Sequence, residues 1–233
     1  NKYHLCQKAH KIIAVSNQTK LDIIDIFSIP ENKIEVIYHG TNFTPIQNNF
    51  HKINWLPKRY LLYVGTRSGY KNFSWMISAI ANILKETEIN LVIIGNTLSN
   101  SEYQQIKELG IANFVITSNI FTKEELQEVY NRAEIFIFPS LYEGFGIPIL
   151  EAFASNVPIL LSNTSCFPEI AKDAASYFEV NNKLDFKEKI MQLLNSESLK
   201  KSLISAGQKR LEKFTWKNAA TSTAKVYHEV LNG

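Results

Sequence analysis

The sequence predicts an α/β fold in which a parallel sheet carries helices on both faces. Three observations predict it. Apolar runs of four or five residues, such as Tyr60–Val64, Leu91–Ile94 and Ile135–Phe138, lack polar alternation, as strands buried on both faces require. Between them lie stretches with apolar residues three, four and seven apart, the spacing of a helix with one buried face. The two kinds of segment alternate, and a parallel neighbour is reached only through such a crossover.

In chain order, Ile12–Val15 forms a first short strand, with Ser16 placed to cap a helix carrying Leu21, Ile24 and Phe27 that Pro30 stops. Ile34–Tyr38 is a second strand, closed by His39 and Gly40. Residues 46–58 are polar and aromatic by turns without a sustained period, and read as a linker. The pattern then becomes regular. Tyr60–Val64 is followed by a helix through Phe73, Met76, Ile77, Ile80 and Ile83; Leu91–Ile94 by a helix through Tyr103, Ile106 and Leu109 that ends at Gly110. Phe114–Ile116 is a third strand of this series. Thr122 and Glu125 make a capping-box pair for the helix carrying Leu126, Val129 and Tyr130. After Ile135–Phe138 come a helix with Ile149, Leu150, Phe153 and Ala154, a strand at Pro158–Leu161 and a weaker one around Tyr177 and Phe178. Three helices finish the chain. The last, from Trp216 to Leu231, carries a long apolar stripe.

Composition narrows the classes. At 233 residues the chain holds one large domain or one and a half small ones, and a net charge of +3 is too small to argue for nucleic acid. Cys6 and Cys166 stand far apart without metal-ligand spacing, which fits a reducing, cytoplasmic compartment. No apolar run reaches the ~18 residues of a membrane span. The cations Lys200, Lys201, Lys209, Arg210 and Lys213 gather on one late stretch. Such a stretch is usually a solvated face; the alternative is contact with an anionic membrane, such as the inner face of the cell membrane. With no signal peptide and no initiator Met, the chain reads as a fragment.

The stretch from Phe138 to Glu151 concentrates the chemistry. Two glycines, Gly144 and Gly146, lie between strand and helix, and Pro148 falls in the first helical turn, where its missing N–H costs nothing. Backbone amides at a helix N-terminus bind anions or sugar hydroxyls. Glu143 and Glu151 flank the same mouth. A second loop, after Val64, places Arg67 and Lys71 near a helix start, where cations are unfavourable unless an anion lies between. A guanidinium and an ammonium beside free amides suit a diphosphate. Loops with glycines and paired surface charges also occur without any ligand, so residue type alone leaves both readings open.

The order of residues is more specific. Pro-Ser-x-x-Glu-Gly-Phe-Gly-x-Pro-x-x-Glu-Ala, here Pro139–Ala152, closely resembles the nucleotide-sugar signature of retaining glycosyltransferases of family 4, and Gly65-Thr66-Arg67 through Lys71-Asn72 matches that family's glycine-to-Lys-Asn segment. The resemblance implies a Rossmann-like doubly wound parallel sheet with C-terminal helices, the C-terminal half of a GT-B enzyme. It divides the chain into 1–45, the tail of the acceptor-side domain; 46–58, the linker; 59–214, the nucleotide-sugar-binding domain; and 215–233, a crossing helix. The roles it implies are these: Arg67 and Lys71 hold the diphosphate and, with Glu143, make up the catalytic group; Gly65 and the backbone of Gly144, Phe145, Gly146 and Ile147 line the phosphate and sugar; Glu151 accepts from the ribose; Ile120 and Phe121 line the base. Asn119 and Phe121 replace a Gly and a Val of the family pattern, Asn42 an Asp, and Asn156 a frequent Gly at a left-handed turn. The expected reaction is hexosyl transfer from a nucleoside-diphosphate sugar with retention, in polysaccharide or glycoconjugate synthesis. No Asp-x-Asp occurs, so no metal or other cofactor is expected. The family's glycine-rich loop and catalytic-site His have no match, so the chain alone is expected to bind donor weakly and transfer little. Its expected partners are the nucleotide sugar and an absent N-terminal domain or partner subunit, with a homo-oligomer through the last helix as a variant. The competing readings are a non-catalytic nucleotide-sugar-binding module and, more weakly, a nucleotide-sugar epimerase.

Overall fold

A computed structural model of the protein describes residues 2–44, 53–120 and 122–232. The N-terminal segment contains α1 (Lys2–Lys8), β1 (Ile12–Ala14), α2 (Asn17–Phe27) and β2 (Ile34–Val36), with β1 and β2 paired in parallel. The rest alternates β3 (Tyr60–Val64), α3 (Phe73–Thr87), β4 (Asn90–Ile94), α4 (Asn100–Glu108), β5 (Val115–Ser118), α5 (Lys123–Asn131), β6 (Ile135–Phe138), α6 (Ile147–Ala154), β7 (Ile159–Ser162), α7 (Phe167–Ala171) and β8 (Ser176–Phe178). Then come α8 (Lys183–Asn195), α9 (Glu197–Leu211) and α10 (Trp216–Asn232). The larger sheet is parallel throughout, in the order β5-β4-β3-β6-β7-β8. It is the doubly wound, Rossmann-like arrangement that the sequence predicts.

The unbroken apolar runs are explained by the pleat. Alternate residues of a strand face opposite sides. Leu62, Val92, Phe136, Phe138 and Leu161 enter one core, closed by Val129, Tyr130, Ile149, Leu150 and Phe153 of α5 and α6. Leu61, Tyr63, Leu91, Ile93, Ile135 and Leu160 enter the other, closed by Met76, Ile77 and Ile80 of α3 and Phe186, Ile190 and Leu193 of α8. Each large side chain so buried contributes roughly 1.5–3 kcal/mol. Buried tyrosines keep their hydroxyls bonded: Tyr60 donates to the Val129 carbonyl at 2.7 Å and Tyr63 to that of Thr66 at 2.6 Å.

Element boundaries depart from the sequence reading in a few places. The helix α2 is capped by Ser16, which accepts from the Thr19 N–H, but it ends at Ser28 in a left-handed conformation (φ 51°) rather than at Pro30. The second strand stops at Val36, and Tyr38 turns into an aromatic cluster with Phe145 and Phe214. The strand expected from Phe114 begins at Val115, after a 3-10 turn over Ala112–Phe114. Two short helices, α1 and α7, were not foreseen. Asn156 adopts the left-handed turn (φ 55°) expected of it. Of the expected linker, residues 46–52 lie outside the described residues.

The last helix returns to the N-terminal segment. Gly40 lies so close to its start that a Cβ there would come within 2.3 Å of the Trp216 backbone nitrogen. Of its apolar stripe Val226 is buried, whereas Trp216, Tyr227 and Leu231 are exposed.

Candidate active site at the switch point of the sheet

The strand order reverses between β3 and β6, so the chain leaves these neighbours in opposite directions and opens a crevice beyond their carboxyl ends. Two loops form its walls, 65–72 after β3 and 139–146 after β6. They are tied together where the Leu141 N–H donates to the Tyr70 carbonyl at 2.7 Å. The Lys71 ammonium reaches across to Glu143 Oε1 at 2.5 Å, and both side chains are largely buried. It also lies over the rings of Tyr70 and Phe138, at 5.2 and 5.4 Å from their centroids. The pair therefore joins the two walls.

The Glu143 backbone is clasped by Ser165, whose Oγ accepts from its N–H at 3.1 Å and donates to its carbonyl at 2.9 Å. Gly146 occupies the N-cap of α6 at φ 82°, a conformation that favours glycine, with no side chain capping the helix. Pro148 has no N–H and the Ile149 N–H donates to the Gly146 carbonyl at 2.9 Å, so the first turn of α6 offers a ligand the Ile147 amide. The Phe145 ring is buried against Tyr38, His39 and Phe214, turned into the core. Ile147 is partly exposed just beyond it.

Further along α6, Glu151 accepts from the hydroxyl of the fully buried Tyr130 at 3.0 Å. Burial pushes the Glu151 carboxyl above the ordinary carboxylate range, and the Tyr130 hydroxyl draws it only part of the way back. Burial, and then the neighbouring carboxylate, raises Tyr130 far above a free phenol, so it stays a donor. Ile120 is half-buried against the core that contains Tyr130. Phe121 lies outside the described residues.

Arg67 has a different neighbourhood from the one its spacing to Lys71 suggests. Its Nε donates to Glu102 at 2.8 Å, and one Nη to the carbonyls of Asn96 and Thr97, each at 2.8 Å. The side chain is only 6% exposed and its guanidinium lies 5.5 Å from the Phe73 ring centroid. Burial raises the Glu102 carboxyl, but bonds from Ser99 and Arg67 outweigh it and leave the group below its usual range. The reason for the divergence is local. The segment passes through a 3-10 turn at Gly69–Lys71 and a left-handed Asn72 before α3 starts, so Arg67 and Lys71 never share a helical face. Arg67 ties the β3 loop to the β4 loop; Lys71 faces Glu143.

Sequence reasoning missed Ser165 and Tyr130 as parts of the site. Tyr130 reads as an apolar helix position, and no spacing links Ser165 to Glu143. His39, without a functional context in the sequence, packs between Phe145 and Trp216, and burial lowers its pKa.

Among the described residues no helix is long and apolar enough to cross a membrane. Residues 46–210 match the family described as Glycosyl transferases group 1. The chain is similar to O-antigen chain mannosyltransferase B of Escherichia coli, with 26% identity over 94% of this chain and 60% of the relative. It is also similar to the MMP alpha-(1->4)-mannosyltransferase of Mycolicibacterium hassiacum, with 27% identity over 95% of this chain and 54% of the relative. The chain thus spans little more than half the length of these curated relatives. Among solved structures, sucrose-phosphate synthase from Thermosynechococcus elongatus superposes with a TM-score of 0.83 at 20% identity, covering 99% of this chain and 61% of that one. Anabaena HepE in complex with UDP-glucose gives 0.83 at 16% identity, covering 97% and 66%. With the family match extending across most of the chain, on a doubly wound sheet whose switch-point crevice is walled by Lys71 and Glu143, this protein belongs to the group 1 glycosyl transferases.

Proposed function

We propose that the chain is the donor-binding portion of a retaining enzyme that moves a hexose-type sugar from a nucleoside-diphosphate sugar to an acceptor in polysaccharide or glycoconjugate synthesis. The observation that carries this reading is the Lys71–Glu143 pair across the switch point, with Glu151 on the helix that the same loop opens. The donor's diphosphate takes the Lys71 ammonium and backbone amides of the 144–147 stretch, and Glu143, released from Lys71, turns to the sugar. Glu151 accepts from the ribose, and Ile120, with Phe121, lines the base. As the bond from the anomeric carbon to the diphosphate breaks, positive charge grows on the sugar and negative charge on the leaving group. Lys71 and the amides stabilise the latter, which is positioning plus electrostatics rather than covalent catalysis. The buried Arg67 serves by holding the β3 and β4 loops together. The named activities of the two relatives favour a mannosyl unit, and work at the cytoplasmic face of a membrane suits such an acceptor.

The exposed stripe of α10 favours a second reading, a nucleotide-sugar-binding module that acts with a partner subunit. On the first reading the chain alone transfers little, because acceptor-side groups come from a further domain.

Calorimetry with UDP, GDP, ADP and their sugars, beside a transfer assay, tests both. Binding of one nucleoside diphosphate that Lys71→Met weakens supports the site; no binding by any of them sinks it. Robust turnover by the chain alone overturns the need for a further domain.

A further inference from the structure

We infer that α2, in the N-terminal segment, is the positioning element for the loop that carries Glu143, so that donor-side geometry is set from outside the donor domain. The inference rests on the donor site proposed above. Its basis is a row of three residues, Ser16, Thr19 and Asp22, spaced three apart along one edge of α2. The fully buried Ser16 hydroxyl donates to the Gly144 carbonyl at 2.6 Å, and the Thr19 hydroxyl donates to the same carbonyl at 3.1 Å. Asp22 Oδ2 accepts from the Tyr142 hydroxyl at 2.5 Å. Two residues of the loop, on either side of Glu143, are therefore held by α2.

The contact is reciprocal. Glu169, on α7 of the donor domain, accepts from the backbone N–H groups of Asn17 at 2.8 Å and Gln18 at 3.2 Å. It also accepts from the Asn17 side-chain amide at 2.9 Å, which reaches Tyr38 at 3.0 Å. A carboxylate on first-turn amides is favoured by both hydrogen bonding and the helix dipole. Four residues before Glu169 is Ser165, which clasps the Glu143 backbone from the other side. The loop is thus gripped between α2 and the 165–169 segment, and Glu169 joins the two grips.

None of these groups needs to touch the donor to matter. A trans peptide points its C=O and N–H in opposite directions, so holding the Gly144 carbonyl against α2 turns the Phe145 N–H away from it. That amide belongs to the stretch proposed to meet the phosphate and sugar. Ser16 and Thr19 are accordingly positioning residues, and their loss should affect the diphosphate end of the donor and spare the ribose end at Glu151.

Hydrogen–deuterium exchange and calorimetry on the whole chain test this. Thr19→Val leaves the Ser16 cap in place and removes one donor to Gly144; Ser16→Ala removes the other, and Ser16→Thr restores a hydroxyl. Exchange across residues 141–147 should rise about tenfold in Thr19→Val and Ser16→Ala, on the scale of a lost hydrogen bond. It should return in Ser16→Thr, with β3 and β4 unchanged throughout. Affinity for the nucleoside diphosphate should fall about tenfold while affinity for the monophosphate holds. Unchanged loop exchange, or equal losses for mono- and diphosphate, overturns the inference. If the unsubstituted chain binds no nucleotide, the donor reading fails, and the exchange data alone then decide whether α2 sets the loop.

Discussion

The six-stranded unit and the N-terminal segment share a parallel design, but only the first closes it. In β3–β8 both faces of the sheet are covered by helices, and Leu61, Leu62, Ile135 and Phe136 are fully buried. In the β1–β2 pair the buried cluster is Ala14, Ile29 and Ile34, while Leu5, Leu21 and Ile26 lie exposed nearby. The six-stranded unit therefore carries its own core. The N-terminal segment is held against it by aromatic packing of Tyr38, His39 and Phe43 on Phe145, Phe214, Trp216 and Tyr130, by polar contacts at the Gly144 loop and Glu169, and by α10 against Gly40. What the difference teaches is that the segment's own small cluster is supplemented by contacts with its neighbours.

Truncation of a core side chain in each region should expose that inequality most strongly. Phe136→Ala should cost about 3–5 kcal/mol, because two covered faces prevent the cavity from collapsing. Ile29→Ala should fall near the low end for its type, about 2 kcal/mol, since the small cluster can relax around it. Urea unfolding followed by circular dichroism measures both. Equal losses would mean that the N-terminal segment has a core as unyielding as the other, and the comparison would fail.

A second contrast lies within the six-stranded unit. Arg67→Met strips Glu102 and two carbonyls of their buried partner and should lower stability by roughly 2–3 kcal/mol, since Ser99 still supports Glu102. Lys71→Met should also lower thermal stability, because it leaves the largely buried Glu143 unpaired, and should weaken nucleoside-diphosphate binding by on the order of 10²-fold, as loss of a charge-assisted contact does. Melting curves beside calorimetry separate the two. Should Arg67→Met abolish binding while the melting temperature holds, Arg67 returns to the diphosphate and its role as a loop tie is wrong.

That contrast also marks where the sequence stops being readable. Strands such as β3 and β6 were legible to the residue, because burial on both faces leaves an unbroken apolar run that nothing else explains. The loop from Pro139 to Gly146 was legible because glycines and a helix-starting proline encode its turn. The tie from Arg67 to Glu102 was not legible, because spacing predicts proximity only within one regular element, and here a 3-10 turn and a left-handed Asn72 intervene. Ser165 and Glu169 were invisible for a related reason: they meet Glu143 and α2 through tertiary contacts between segments far apart in the chain, which leave no local pattern.

The smallest expected effect concerns pH. Burial raises the Glu151 carboxyl above its ordinary range, so the folded protein holds this proton at pH values where the unfolded chain has released it. Stability contributed by the protonated form is therefore present at acid pH and lost as pH rises from the ordinary carboxylate range through the raised value. Glu151→Gln removes the titration while leaving an oxygen to accept from Tyr130. The variant should gain stability over the unsubstituted chain at neutral pH, and the gain should vanish in acid. If Glu151 holds the ribose as proposed, nucleotide affinity should fall in this variant. Urea midpoints taken across the carboxylate range and up to neutrality test the first half; parallel slopes for the two proteins would show that Glu151 ionises as readily folded as unfolded, and would remove burial as the reason for pairing it with Tyr130.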